Sequence, residues 1–109
     1  MQNLLPVAAT LLALRAGSAV PQESASFSTA RVAAGAALYE TYCARCHGVD
    51  MVEPGDGFFD LRTFPPEQQS RFMNSVSNGK NSMPPWRAVL SPEDIANLFA
   101  YVVSGGSTD

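Results

Sequence analysis

The pattern of hydrophobic and polar positions predicts a helix near the end of the chain. Ser91–Asp94 places a capping serine, a first-turn proline and an acidic residue where the start of a helix favours them. Behind this cap, apolar residues recur at i, i+3, i+4 and i+7, which predicts one buried stripe. The stripe consists of Ile95, Leu98, Phe99 and Val102. The pair Gly105 and Gly106 ends the helix.

Two other segments also have helical patterns. The first is expected to begin near Ser28 or Thr29, both good N-caps, and to run to about Tyr42. The second is expected to start at Pro65 and to continue to about Ser77. The loop 48–64 between them is rich in Gly, Pro and Asp, so we expect it to be solvated. No stretch shows the sustained alternation of a β-strand, and the fold class is therefore predicted to be all-α.

The chain begins with an apolar run, Leu4–Leu14, that suits a secretory signal and is too short to span a bilayer. Small residues precede a cleavage point after Ala19. We predict a signal peptide over 1–19, a flexible lead-in over 20–27 and one domain over 28–109. No Lys or Arg precedes the run, and an uncleaved membrane anchor or an amphipathic terminal helix is the alternative. Export would make the protein periplasmic, with no stable membrane insertion.

Composition narrows the classes of partner. Ten acidic residues stand against seven Lys and Arg, for a formal net charge of −3. A nucleic-acid partner would need a basic patch, so we expect none. A chain of 109 residues also buries a thin core, and such domains often need a covalent or metal staple.

The pentapeptide Cys43-Ala44-Arg45-Cys46-His47 is the attachment signature for c-type haem. On a helix, these two cysteines and the histidine share one face. Two thiols can then bond one porphyrin while the imidazole beside them reaches the iron. A zinc site would need further ligands, and a thioredoxin-like pair would need a surrounding βαβ pattern. His47 is the only histidine in the chain.

This motif resembles that of the class I c-type cytochromes. The resemblance implies their fold, in which three to four helices wrap around one haem c and the first and last helices cross. Its Gly-x-x-x-aromatic and Leu-x-x-Tyr patterns match Gly35 with Tyr39, and Leu98 with Tyr101. It also implies that one haem is bound covalently through Cys43 and Cys46, with His47 on the iron.

The second axial ligand is predicted to be Met83. It lies between two predicted helices, where a loop can fold over the distal face, and two prolines stiffen the chain directly after it. Met51 is too close to His47 to reach the opposite face, and Met73 suits packing. Lys80 is the remaining candidate. The segment also resembles the Gly-x-x-x-Met-Pro-x-Trp loop of bacterial class I cytochromes, whose methionine is the distal ligand.

Two other residues are candidates for the haem edge. Trp86 could pack there with its indole N–H on a propionate, or could be a core residue. Arg62 could pair with a propionate, because its fork matches a carboxylate, or could be a surface arginine.

The expected function is electron transfer without enzymatic activity, by a monomeric carrier between a dehydrogenase and a terminal oxidase. Residues 58–86 resemble those of small periplasmic cytochromes that accept electrons from quinoprotein alcohol dehydrogenases, which makes such an enzyme the candidate donor. Two alternatives stay open. One is a cytochrome subunit of a dehydrogenase or oxidase complex. The other is a haem-based sensor or peroxidase, which would need an open sixth position on the iron.

Overall fold

A computed structural model of the chain describes residues 27–55 and 57–106. This part of the chain contains four α-helices and two short 3₁₀ helices. The α-helices are α1 (Thr29–Tyr42), α2 (Ala44–His47), α3 (Gln69–Asn78) and α4 (Pro92–Val103), and the 3₁₀ helices are Val49–Met51 and Leu61–Thr63. The predicted signal peptide over 1–19 lies outside the described residues, as does the lead-in except for Phe27.

The first and last long helices begin at the caps that the sequence predicts. The Ser28 hydroxyl accepts a hydrogen bond from the Arg31 backbone N–H at 3.1 Å and caps α1. At α4, the Ser91 hydroxyl accepts from the Asp94 N–H and the Asp94 carboxylate accepts from the Ser91 N–H, each at 3.0 Å. This reciprocal capping box satisfies two donors that a helix start would otherwise leave unpaired. Pro92 follows it as the first helical residue.

α1 crosses α4 at close range around Gly35. A Cβ atom at this position would lie 2.0 Å from the Asn97 carbonyl oxygen and 2.9 Å from the Tyr101 Cβ, so the crossing needs a glycine. One turn later, the rings of Tyr39 and Tyr101 pack with their centroids 5.1 Å apart. Leu98 is buried beside them. These contacts confirm the helix crossing that the sequence resemblance implies.

α3 begins later than its sequence pattern predicts. The expected start was Pro65, whereas the helix spans Gln69–Asn78. Pro65 instead opens a turn in which its carbonyl accepts from the Gln68 N–H at 3.1 Å, and Gln68 has non-helical backbone angles. Phe72 and Val76 of this helix are both buried and face the core. Gly79 ends the helix at a φ of 82°.

The core is a single cluster of apolar side chains to which all three long helices contribute. Phe99 of α4 lies near its centre, with ring centroids 5.4 Å from Phe72 of α3 and 6.1 Å from Phe27. The described part of the chain contains no β-strand, only an isolated bridge between Lys80 and Met83. None of the helices in residues 27–55 and 57–106 combines the length and the apolar character that a bilayer crossing requires.

Candidate haem site

The attachment motif forms a tight helical turn directly after α1. The Cys43 carbonyl accepts hydrogen bonds from the backbone N–H groups of Cys46 and His47, at 3.2 and 2.9 Å. α2 is only four residues long. Both cysteines are free thiols, and the turn holds them with the histidine within one short stretch of chain. The turn therefore brings the backbone of the three motif residues close together.

The two thiols have different surroundings. Cys43 is half-buried against the core, whereas Cys46 is exposed. Burial raises the pKa of the Cys43 thiol to about 11, and the nearby Cys46 adds to the shift. Cys43 is therefore a neutral thiol near pH 7.

The His47 ring is oriented by a backbone group. Its Nδ1 lies 3.2 Å from the Phe59 carbonyl oxygen. A carbonyl can only accept a hydrogen bond, so Nδ1 must carry the proton and donate it. In the neutral imidazole this leaves the Nε2 lone pair available for a metal, the arrangement found in histidine ligands whose second nitrogen is hydrogen-bonded.

The turn after His47 depends on Gly48 and on a tyrosine from the helix crossing. Gly48 has a φ of 96°, and a Cβ there would lie 1.8 Å from the Val52 carbonyl oxygen. The Tyr39 hydroxyl donates a 2.6 Å hydrogen bond to the Gly48 carbonyl. Sequence reasoning missed Tyr39 and Phe59 as supports of the site. The glycine directly after the motif was the one available signal of a tight turn.

Met83 lies in a second tight turn, between α3 and α4. Lys80 and Met83 exchange two backbone hydrogen bonds, at 3.0 and 2.9 Å. Gly79 precedes the turn, and a Cβ there would lie 2.7 Å from the Met83 carbonyl oxygen. The Met83 side chain is half-buried and packs against the edge of the core. The backbone around the predicted distal ligand is thus held by main-chain contacts.

The other methionines are placed as packing residues. Met51 is 1% exposed within the core, where its thioether contributes to packing. Met73 is half-buried on α3 and packs against the same cluster. Met73 and Met83 are thus covered to a similar degree, whereas Met51 is fully enclosed.

The two candidates for the haem edge have distinct settings. Trp86 is half-buried, and its ring centroid lies 5.5 Å from that of Tyr42. Arg62 forms a bidentate pair with Asp60, with Nε–Oδ1 and Nη2–Oδ2 distances of 2.9 and 3.0 Å. The hydrogen bonds from Arg62 lower the pKa of the Asp60 carboxyl. The Arg62 side chain remains 52% exposed.

The donor set and its surroundings fit a haem. Two free thiols, an imidazole with an available Nε2 and a thioether are the ligand types that such a group needs. Several apolar side chains are only partly covered by the rest of the described chain. They are Tyr42, Phe58, Phe59, Leu61, Phe64, Met73 and Trp86. A large apolar plate could pack against such a surface.

Comparison with known proteins identifies the family. The family model described as cytochrome c oxidase, cbb3-type, subunit III matches residues 30–102. Cytochrome c6 of Nostoc sp. is 32% identical over 92 residues, which cover 77% of this chain and 83% of that protein. Cytochrome c6 of a Synechococcus species is also 32% identical, over 98% of this chain and 96% of the relative. The chain belongs to the class I c-type cytochromes.

It follows that this cytochrome is an electron-transfer protein that carries a c-type haem. The cytochrome also resembles a much larger protein. Quinohemoprotein alcohol dehydrogenase ADH-IIG of Pseudomonas putida is 34% identical over 80 residues. These residues make up 72% of the cytochrome but only 11% of the dehydrogenase. The shared part is thus a small segment of that enzyme.

Proposed function

We propose that this cytochrome is a periplasmic one-electron carrier that works between a dehydrogenase and a terminal oxidase. Cys43 and Cys46 would hold one haem through thioether bonds, and His47 and Met83 would supply the protein ligands of its iron. When bound, haem supplies a one-electron Fe(II)/Fe(III) couple.

The observation that carries this proposal is the orientation of His47. The Phe59 carbonyl fixes its proton on Nδ1, so that Nε2 is available beside two free thiols. The hydrogen bond also makes the imidazole more basic as a ligand. A thioether from Met83 on the other side favours Fe(II) relative to a second imidazole and thereby raises the reduction potential. With both residues ligated, little room is left for oxygen or peroxide.

The half-buried apolar side chains have a second role. They would exclude water from one side of the haem, which lowers the local dielectric and limits reorganisation when the charge changes. We propose that Trp86 and Arg62 lie at the border of this surface. Trp86 contributes its ring beside Tyr42, and Arg62 contributes the N–H groups that Asp60 does not occupy to a propionate.

A redox titration of the holoprotein, followed by rapid mixing with purified periplasmic dehydrogenases, tests the function. We expect reversible one-electron behaviour and fast reduction by at least one substrate-loaded quinoprotein dehydrogenase. A haem that can be extracted with acidified organic solvent would exclude thioether attachment. Rapid carbon monoxide binding by the reduced protein at neutral pH would favour a sensor or peroxidase, because a carrier with both axial positions occupied binds it slowly.

A second candidate is a cytochrome subunit or domain held within a larger redox complex. The similarity to a segment of a quinohemoprotein dehydrogenase and to a family named for an oxidase subunit favours this alternative. Purification from the native organism separates the two. Recovery as a free monomer at high salt supports the carrier, whereas co-purification with a large catalytic chain supports the subunit.

A further inference from the structure

The carbonyl that orients His47 belongs to an exposed loop residue. Phe59 lies between the two 3₁₀ helices, outside any regular element, and its side chain is 46% exposed. A carbonyl in such a loop does not keep its position through helix or sheet hydrogen bonds. Its contacts with other elements must therefore limit its movement.

Those contacts converge on Arg71 of α3. The Arg71 guanidinium carbon lies 5.9 Å from the Phe59 ring centroid and 4.8 Å from that of Phe64. The two rings meet edge to face, 6.2 Å apart. Gln68 accepts a hydrogen bond from Arg71 Nη1 and so fixes the guanidinium at the start of the helix. Arg71 thereby links the Phe59 loop to a helix that is anchored in the core.

We propose that Arg71 is a positioning residue for the proximal histidine and that it acts through Phe59. This inference rests on the proposed role of His47 as an iron ligand. The guanidinium holds the Phe59 ring and therefore the carbonyl of the same residue, which accepts the His47 Nδ1 proton. A well-held carbonyl strengthens that hydrogen bond, makes the imidazole more basic and favours Fe(III).

The inference predicts two separate effects. Weaker positioning should let the His47 Nδ1 proton exchange faster with solvent, because the loop opens more often. It should also raise the reduction potential, because a less basic imidazole donates less charge to the iron and therefore stabilises Fe(III) less. Removal of a positive charge alone has the opposite effect on the potential, since Fe(III) is the more highly charged state.

The first experiment compares Arg71→Met with Arg31→Met in the holoprotein by NMR. Both variants lose one positive charge, but Arg31 lies at the start of α1. We expect exchange of the His47 Nδ1 proton to become about two- to fivefold faster in Arg71→Met, the scale of one lost exposed cation–π contact, and to stay unchanged in Arg31→Met. Unchanged exchange in Arg71→Met, or equal acceleration in both variants, would overturn the inference.

The second experiment uses Phe59→Leu, which removes the ring but keeps the carbonyl and the charge. We expect faster exchange and a higher reduction potential than in the wild type. Adding Arg71→Met to Phe59→Leu should change the exchange rate little further, because both substitutions break the same contact. Fully additive effects would contradict the inference. Phe59→Leu also keeps the test available if Arg71→Met fails to fold.

The spectrum separates this inference from the proposed function. If the wild-type His47 is not an iron ligand, its ring will lack the large hyperfine shifts of a group bound to Fe(III), and the proposed function fails. If those shifts are present but Arg71→Met leaves the exchange rate unchanged, only the role of Arg71 is lost.

Discussion

The helix crossing and the two turns that carry the proposed ligands (residues 43–48 and 79–83, the ligand turns) are built in opposite ways. At the crossing, Tyr39 of α1 and Leu98 of α4 are only 2% and 1% exposed. Buried side chains of both helices hold this region together. In the ligand turns, Cys46 is exposed and His47 and Met83 are only half-buried. Their positions depend on backbone hydrogen bonds and on glycines with positive φ.

This difference follows from what each region has to do. Apolar burial stabilises a fold but covers the groups that it buries, so residues that must bind a cofactor cannot be held by it alone. Their geometry must come from the main chain, where each hydrogen bond fixes direction at a modest energetic gain. We therefore expect substitutions at the crossing to change stability, and substitutions in the turns to change the properties of the haem.

The largest expected effect on stability is that of Gly35→Ala. Alanine has the higher helix propensity, by about 1 kcal/mol, so an isolated helix would gain from this change. In the protein, the new Cβ would collide with the Asn97 carbonyl and push α1 away from α4. We expect the free energy of unfolding to fall by about 3 kcal/mol, measured by chemical denaturation.

Ala34→Val is the matched control for the crossing. Ala34 is exposed and adjacent to Gly35 on α1, so the added methyl groups meet solvent. Its expected cost is below about 1 kcal/mol and comes from helix propensity. If Gly35→Ala were as mild as this control, the close approach of the two helices would not be a source of stability.

Tyr39→Phe tests the one side chain that belongs to both regions. Its ring packs on Tyr101 in the crossing, while its hydroxyl donates to Gly48 in the ligand turn. The Gly48 carbonyl also accepts from the Met51 N–H at 3.1 Å, so it keeps one partner after the change. We expect a loss of about 1 kcal/mol in denaturation experiments. Tyr42→Phe should cost less, because the Tyr42 hydroxyl makes no hydrogen bond to another described residue.

The same tyrosine predicts the alkaline limit of stability. Burial raises the pKa of Tyr39 above its ordinary value, and burial likewise raises the pKa of Tyr101. A raised folded-state pKa contributes stability that is present below the unfolded pKa, near 10, and is lost as the pH rises above it. The free energy of unfolding should therefore fall above about pH 10, with a shallower slope in Tyr39→Phe. Equal slopes for the two proteins would contradict this assignment.

The parts of the fold that the sequence predicts are those with local causes. The caps at Ser28 and Ser91 act through their own side-chain hydrogen bonds, and the structure confirms both. The role of Gly35 instead depends on the crossing with α4, which the family resemblance implies. The predicted start of α3 was wrong, because a proline such as Pro65 fits both a first helical turn and a non-helical turn. Tertiary contacts decide between such alternatives, and they are not visible in a local pattern.

The candidate site also has a part that the sequence predicts and a part that it does not. The thiols and His47 follow from their spacing within one turn. The Phe59 carbonyl could not be predicted, because every residue carries a carbonyl and only the folded loop brings this one to the imidazole. The contact between Arg71 and Phe59 likewise joins a helix to a separate loop, which only the folded chain brings together. Main-chain acceptors and long-range stacking leave no signature in composition or spacing.

The smallest expected effect on stability is that of Arg62→Gln. The pair with Asp60 is solvent-exposed, so its loss should leave the unfolding transition unchanged within error. The Asp60 carboxyl should nevertheless lose its lowered pKa and move back toward its usual value, which an NMR titration can follow. Any stability that the pair contributes is present above the unfolded-state pKa of the Asp60 carboxyl. It is lost as the pH falls through the lowered pKa of the folded state. A changed reduction potential in Arg62→Gln would support a contact with a propionate, and an unchanged one would assign Arg62 to the surface.

The most direct test of the whole account is the far-red absorption of the oxidised protein. A weak band there reports an Fe(III)–thioether bond. Met83→Ala should abolish it, whereas Met73→Ala, which removes a half-buried methionine of α3, should leave it intact. This result would place Met83 on the iron, opposite His47. Survival of the band in Met83→Ala would show that another residue binds the iron and would contradict the account.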